Sequence, residues 1–122
     1  MKELITIQSE LKAPKSQFNR FGGYKYRKAE DILEAVKPLL AKKKCTLVLT
    51  DDIISVGNRI YVKSLATLKN NSGETEMSVG YAREEETKKG MDGSQITGAS
   101  SSYARKYALN GLFAIDDNAD SD

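Results

Sequence analysis

The sequence predicts an α+β domain: a three-stranded antiparallel meander followed by a long helix, with two N-terminal helices and the helices packed on one face of the sheet. Three observations predict this β-β-β-α core. The stretch from Cys45 to Arg83 is rich in strand formers, much of it in period-two alternation. It is broken only by two short turns, whereas parallel strands would need long crossovers. Apolar residues recur at helical spacing in residues 2–12 and again from about Ala29. The stretch from Gly90 to Asp117 reads as one further helix with two unlike faces.

In the first helix Leu4, Ile7, Gln8 and Leu11 form one stripe, and Pro14 ends it. The following KSQFNRFGGYKYRK interleaves Phe18, Phe21, Tyr24 and Tyr26 with Lys15, Arg20, Lys25, Arg27 and Lys28. Gly22–Gly23 breaks it into a loop or small hairpin. If extended, Tyr24 to Arg27 places both tyrosines on one side and both cations on the other. The second helix buries Ile32, Leu33, Val36, Leu39 and Leu40. Glu30, Asp31 and Glu34 sit near its start and Lys42 to Lys44 near its end, as the helix dipole favours. Pro38 should kink it or split off its last turn.

The first strand runs from Cys45 to about Val56, and Gly57–Asn58 is a hairpin turn signal. The second runs from Arg59 to Lys69. The third, from Glu74 to about Arg83, is expected to point Met77, Val79 and Tyr81 inward. The charged run from Glu84 to Gly93 reads as a mobile loop. Residues 1–115 form the domain, and the closing DDNADSD, residues 116–122, reads as a disordered acidic tail.

In the last helix, about 100° per residue gathers Ile96, Ala99, Ser100, Tyr103, Ala104, Tyr107 and Gly111 on one side. Ser94, Gly98, Ser101, Ser102 and Arg105 lie on the other, with Lys106 at the border. That second side is paved with small residues ending in two adjacent cations, a surface another backbone could approach closely. Equally, the helix could lie tightly on a sheet with Arg105 and Lys106 compensating its dipole. Leu109, Leu112 and Phe113 fall on the polar side, as a contact to a neighbouring subunit or as a second contact within the chain.

Composition narrows the function. The 122 residues suit one domain with its own core. A net charge of +2 hides an asymmetry of +6 over residues 1–50 against −4 over residues 51–122, so the basic half could meet a polyanion. No apolar run reaches the roughly 20 residues of a membrane span, and no signal-peptide pattern opens the chain. Cys45 is the single cysteine, which fits a reducing compartment, and cytoplasmic is the expected location. With no histidine, His-based catalysis and His metal ligation are excluded. One cysteine makes no zinc site, and no phosphate-cradling GxxxxGK[ST] loop is present. Asp51, Asp52, Glu84 to Glu86 and Asp92 could in principle take Mg²⁺, but their spacing is unlike that of a two-metal nuclease. No cofactor, metal site or catalytic residue is expected, only binding chemistry.

The aromatic-basic segment suits single-stranded nucleic acid, which is held by cations along its phosphates and by rings on which bases stack. Arg20, Tyr24, Lys25, Tyr26, Arg27 and Lys28 are therefore candidate contacts. Burial of the aromatics where the segment crosses the sheet, with the cations merely solvated, is the other reading.

Several segments, in order and covering nearly the whole chain, resemble the Erf (essential recombination function) family of phage single-strand annealing proteins. They are LKAPKSQFN, YKYRKAEDILEAVKPLL, VGYAREEE, DGSQITGASSSYARKYAL and the overlapping SSSYARKYALNGLFAIDD. That family belongs to a wider annealing superfamily that includes the eukaryotic recombination mediator Rad fifty-two. The resemblance implies ATP-independent binding and annealing of single-stranded DNA by a ring or helical filament of identical subunits, with DNA in a positively charged groove. It implies groove contacts from the matching basic pair Arg105 and Lys106, and from Lys25, Arg27 and Lys28; the small residues Gly98, Ser101 and Ser102 would let the strand approach the helix. It also implies a single-strand-binding protein or an exonuclease as a further partner. Family members commonly carry a further C-terminal region, whereas this sequence stops just past the core helix, as a minimal or truncated member would. The expectation is a non-enzymatic annealing protein for phage recombination. The alternative is an adaptor whose basic loop binds an acidic protein partner.

Overall fold

The computed structural model describes residues 1–84 and 93–116. The chain forms α1 (Lys2–Glu10), β1 (Gln17–Asn19), β2 (Tyr24–Tyr26), α2 (Ala29–Lys43), β3 (Thr46–Val56), β4 (Arg59–Lys69), β5 (Thr75–Glu84) and α3 (Gly93–Phe113). The class and element order are those the sequence predicts. Most of the expected charged loop and acidic tail, residues 85–92 and 117–122, lies outside the described residues.

Strands β3, β4 and β5 form an antiparallel meander in that order, and β1 and β2 form a separate small hairpin. Val56 pairs with Arg59 across the two-residue turn Gly57–Asn58. Gly57 has φ +59° and Asn58 does not share the positive φ, the pattern of a type II′ turn, whose twist matches the strands it joins. Register places Leu47, Leu49 and Asp51 of β3 on the same face as Val62, Ser64, Ala66 and Leu68 of β4. Ser78, Gly80 and Ala82 of β5 share that face.

α3 lies across this face so closely that β5 tolerates only small residues beneath it. A Cβ on Gly80 would stand 2.2 Å from the Ala104 carbonyl oxygen and 2.4 Å from the Ala108 nitrogen. This overturns the inward assignment of Met77, Val79 and Tyr81. They occupy the opposite face and are exposed, as are Val48 and Val56. Strand alternation alone marked the larger side chains as the core set, but the helix backbone had already taken the space they would fill.

The core forms where α1 and α2 pack against the C-terminal half of α3 and the end of the sheet. Ile7, Ile32, Val36, Leu68, Leu109 and Phe113 are fully buried there. Leu109, Leu112 and Phe113 are therefore a contact within the chain, and their reading as a subunit contact is corrected. A 3.6-residue wheel cannot foresee that a second pair of helices covers the side of α3 turned away from its first contact. Gln8 Nε2 of α1 donates to the Leu112 carbonyl at 2.9 Å, and Ala114 adopts φ +55° to end α3. α2 runs on through Pro38 to Lys43, so Pro38 does not split off its last turn. Glu34 and Pro38 are both exposed, so water reaches the turn where Pro38 removes a hydrogen bond.

Candidate functional site

The hairpin is shaped by Asn19. Its Oδ1 accepts from Phe21 N at 2.9 Å and Gly22 N at 3.0 Å, while Gly23 N donates to the Asn19 carbonyl at 2.8 Å. This tight loop holds Arg20 and Phe21 out in solvent, and Phe18 pairs with Lys25 on the exposed side. Tyr24 and Tyr26 share the other side with ring centroids 6.0 Å apart, as the alternation predicts. Their burial is partial, and Phe18 and Phe21 are not buried at all, so the aromatics are not a core set.

Arg27 turns inward and is only 8% exposed, and its Nε donates to the Ala13 carbonyl at 2.7 Å. The start of α2 is fixed by Asp31, which accepts from the Lys28 backbone N at 2.8 Å and from Gln17 Nε2 at 3.3 Å. One carboxylate thus caps α2 and ties the hairpin to it.

α3 carries its polar residues on two separate flanks. Toward β3, Asp51 accepts hydrogen bonds from Ser64 Oγ at 2.6 Å and from Ser101 Oγ. Arg105 Nε lies 3.1 Å from Asp51 Oδ2 in an ion pair. Partial burial pushes the Asp51 pKa up, but the hydroxyls of Ser101 and Ser64 and the guanidinium of Arg105 outweigh it. The carboxyl is held below its ordinary value of 3.8. Ser101 and Arg105 are fastened to the sheet through Asp51, and the Arg105 side chain stays 42% exposed. Asp51 and Asp52 are adjacent on a strand and point to opposite faces, so they do not form a joint chelate. Among the described residues no group of three or more acidic or cysteine side chains is placed to hold a metal ion.

On the other flank, α3 faces the hairpin and the start of α2 across a cleft of about 620 Å³. Tyr26, Arg27, Lys28, Ser102, Tyr103 and Lys106 are among its lining residues. Lys106 lines the cleft and is buried almost whole, at 3% exposed. The cleft therefore unites five of the candidates named from sequence: Tyr26, Arg27, Lys28, Ser102 and Lys106. Lys25 and Arg20 stand outside it on the exposed hairpin, and Ser101 and Arg105 lie on the far flank of α3.

A second, smaller cleft of about 340 Å³ adjoins the first at Tyr103, along the outer edge of β5. Tyr24, Tyr81, Arg83 and Tyr107 complete its polar and aromatic lining. Sequence reasoning did not name Tyr81, Arg83, Tyr103 or Tyr107 as site residues. The i, i+4 spacing of Tyr103 and Tyr107 beside two cations is a usable signal, but periodicity groups both with Ile96, Ala99 and Ala104, away from the serine-rich side.

Fold and site together define an α+β domain with a β-β-β-α core and a cleft of charged and aromatic residues beside its last helix. The family model of the ERF superfamily matches residues 1–122, and the chain belongs to that superfamily. More particularly, it is 57% identical over 119 residues to the essential recombination function protein of Salmonella phage P22. The match takes in 98% of this chain and 57% of that relative, so the chain spans little more than half of the relative's length. No solved structure matches the chain. Among the described residues no helix is long and apolar enough to cross a membrane.

Proposed function

We propose that this chain binds single-stranded DNA and anneals complementary strands in phage recombination, without ATP and without catalysing a covalent step. The observation that carries this reading is the cleft where Arg27, Lys28 and Lys106 meet Tyr26 and Tyr103, its three cations outnumbering the two carboxylates, Glu30 and Asp31, that also line it. Cations at a partly desolvated wall attract phosphates more strongly than cations in open water. Rings beside them suit bases in any sequence, as an annealing protein requires. Lys25 and Arg20 are further exposed cations on the hairpin, outside the cleft. Membership in the ERF superfamily and the name of the phage P22 relative support the recombination role.

Annealing along a strand is served by many weak sites in series, so the acting form is an oligomeric ring or filament of this chain. The exposed apolar face of the sheet, with Val48, Met77 and Val79, gives a second copy a surface to cover. A single-strand-binding protein or an exonuclease is the further partner in this reading.

The test is an annealing assay with complementary labelled oligonucleotides, comparing the wild type with Lys28→Ala combined with Lys106→Met. Methionine keeps most of the aliphatic length of Lys106 and removes its ammonium group. The expected result is loss of annealing with the fold and oligomer retained. Wild-type annealing by the double variant would remove the cleft from the DNA path. Equal, salt-insensitive binding of single strand and duplex would favour an acidic protein as partner instead.

A further inference from the structure

We propose that the small cleft at the edge of β5 is a nucleobase subsite, in which Tyr24, Tyr81, Tyr103 and Tyr107 stack on the bases of a strand whose phosphates lie in the neighbouring basic cleft. This rests on the single-strand-binding reading and adds the place where bases, as distinct from phosphates, are held. The chain has six tyrosines, and four of them line this one cleft although they come from β2, β5 and α3. Convergence from three elements is not what a single amphipathic stripe would produce.

The rings are also presented rather than buried. Tyr81, Tyr103 and Tyr107 are 53%, 44% and 38% exposed. Tyr103 and Tyr107 are nearly parallel, at 22°, with centroids 6.5 Å apart, at the long end of the range for paired aromatics. Such exposed rings leave apolar area in water, which is expected where a flat ligand covers it. No carboxylate lines this cleft, and its one charged residue is Arg83, whose guanidinium can meet a phosphate or stack on a base. Tyr103 belongs to both clefts, so the base and phosphate subsites share a wall.

The composition supplies a direct readout. With no tryptophan, intrinsic fluorescence comes from tyrosine alone, and most of the tyrosines are at or beside this cleft. The full chain is titrated with an oligothymidylate and with an abasic strand of the same length and charge. The expected result is tyrosine quenching by the oligothymidylate alone, with an affinity at least about fivefold above that for the abasic strand. Tyr103→Leu with Tyr107→Leu should reduce the oligothymidylate to the abasic level, while Tyr103→Phe with Tyr107→Phe should keep the preference.

Equal affinity of the wild type for both strands, without quenching, would overturn the base subsite and leave the phosphate-binding reading standing. Binding of neither strand would overturn both. The wild-type comparison decides the matter even where the leucine variant fails to fold.

Discussion

The two flanks of α3 are built from similar residues and do different work. On the flank toward β3, Ser101 and Arg105 converge on Asp51 of the sheet. On the flank toward the hairpin, Ser102 and Lys106 line a cleft. The two serines are neighbours in sequence, and so are the two cations, yet each pair is split by the 100° turn between consecutive helical residues. A serine-rich helix face with an Arg-Lys pair is therefore not one surface. Half of it seats the helix on the sheet, and the other half faces the cleft.

The strongest way to break this comparison is to lift the helix off both flanks at once. Gly80→Val places side-chain atoms where the backbone of Ala104 and Ala108 already lies. The expected loss is about 3 kcal/mol of stability, read as a lower midpoint in thermal or urea unfolding, with DNA binding lost as well.

Asp51→Ala damages only the seated flank. It leaves the Ser64 hydroxyl, fully buried, without its acceptor, and frees Ser101 and Arg105 from the sheet. The expected cost is about 1–3 kcal/mol in urea unfolding, with single-strand affinity at low denaturant within about twofold of wild type.

The cleft flank is isolated by comparing Lys106→Met with Arg105→Ala in salt titrations of single-strand binding. Removing one phosphate contact should flatten the slope of log affinity against log salt by about 0.7 for Lys106→Met. Arg105→Ala should leave the slope unchanged and lower the unfolding midpoint instead. The reverse pattern would exchange the roles of the two flanks.

The smallest effect is a pH dependence. Asp51 has a lowered pKa in the folded chain, so its contribution to stability is fully present above the ordinary value of 3.8. It is lost as pH falls below that value and through the lowered folded-state pKa. Asp51→Asn should therefore show a shallower decline in stability over that acid range than the wild type, and an identical decline would show that the ion pair contributes nothing.

The fold was largely legible in the chain because its signals are local. The Gly57–Asn58 turn, the alternation in β4, and the charges at the two ends of α2 each act within a few residues. Tyr26, Arg27 and Lys28 were legible as candidates for the same reason, since they crowd one short segment. Tyr81 and Arg83 were not, because a strand residue reaches a helix or a hairpin only once the sheet is packed.

The sequence by itself determined the α+β class, the element order, a basic first half, and the absence of histidine and paired-cysteine chemistry. The tertiary structure alone decided which way each side chain points. The closeness of α3 to Gly80 turned Met77, Val79 and Tyr81 outward. α1 and α2 took Leu109, Leu112 and Phe113 into the core. Asp51 fastened Arg105 to the sheet, while Lys106, one residue on, lines the cleft. Periodicity fixes the angle between residues on one element, but only the partners packed around that element give the angle a direction in space.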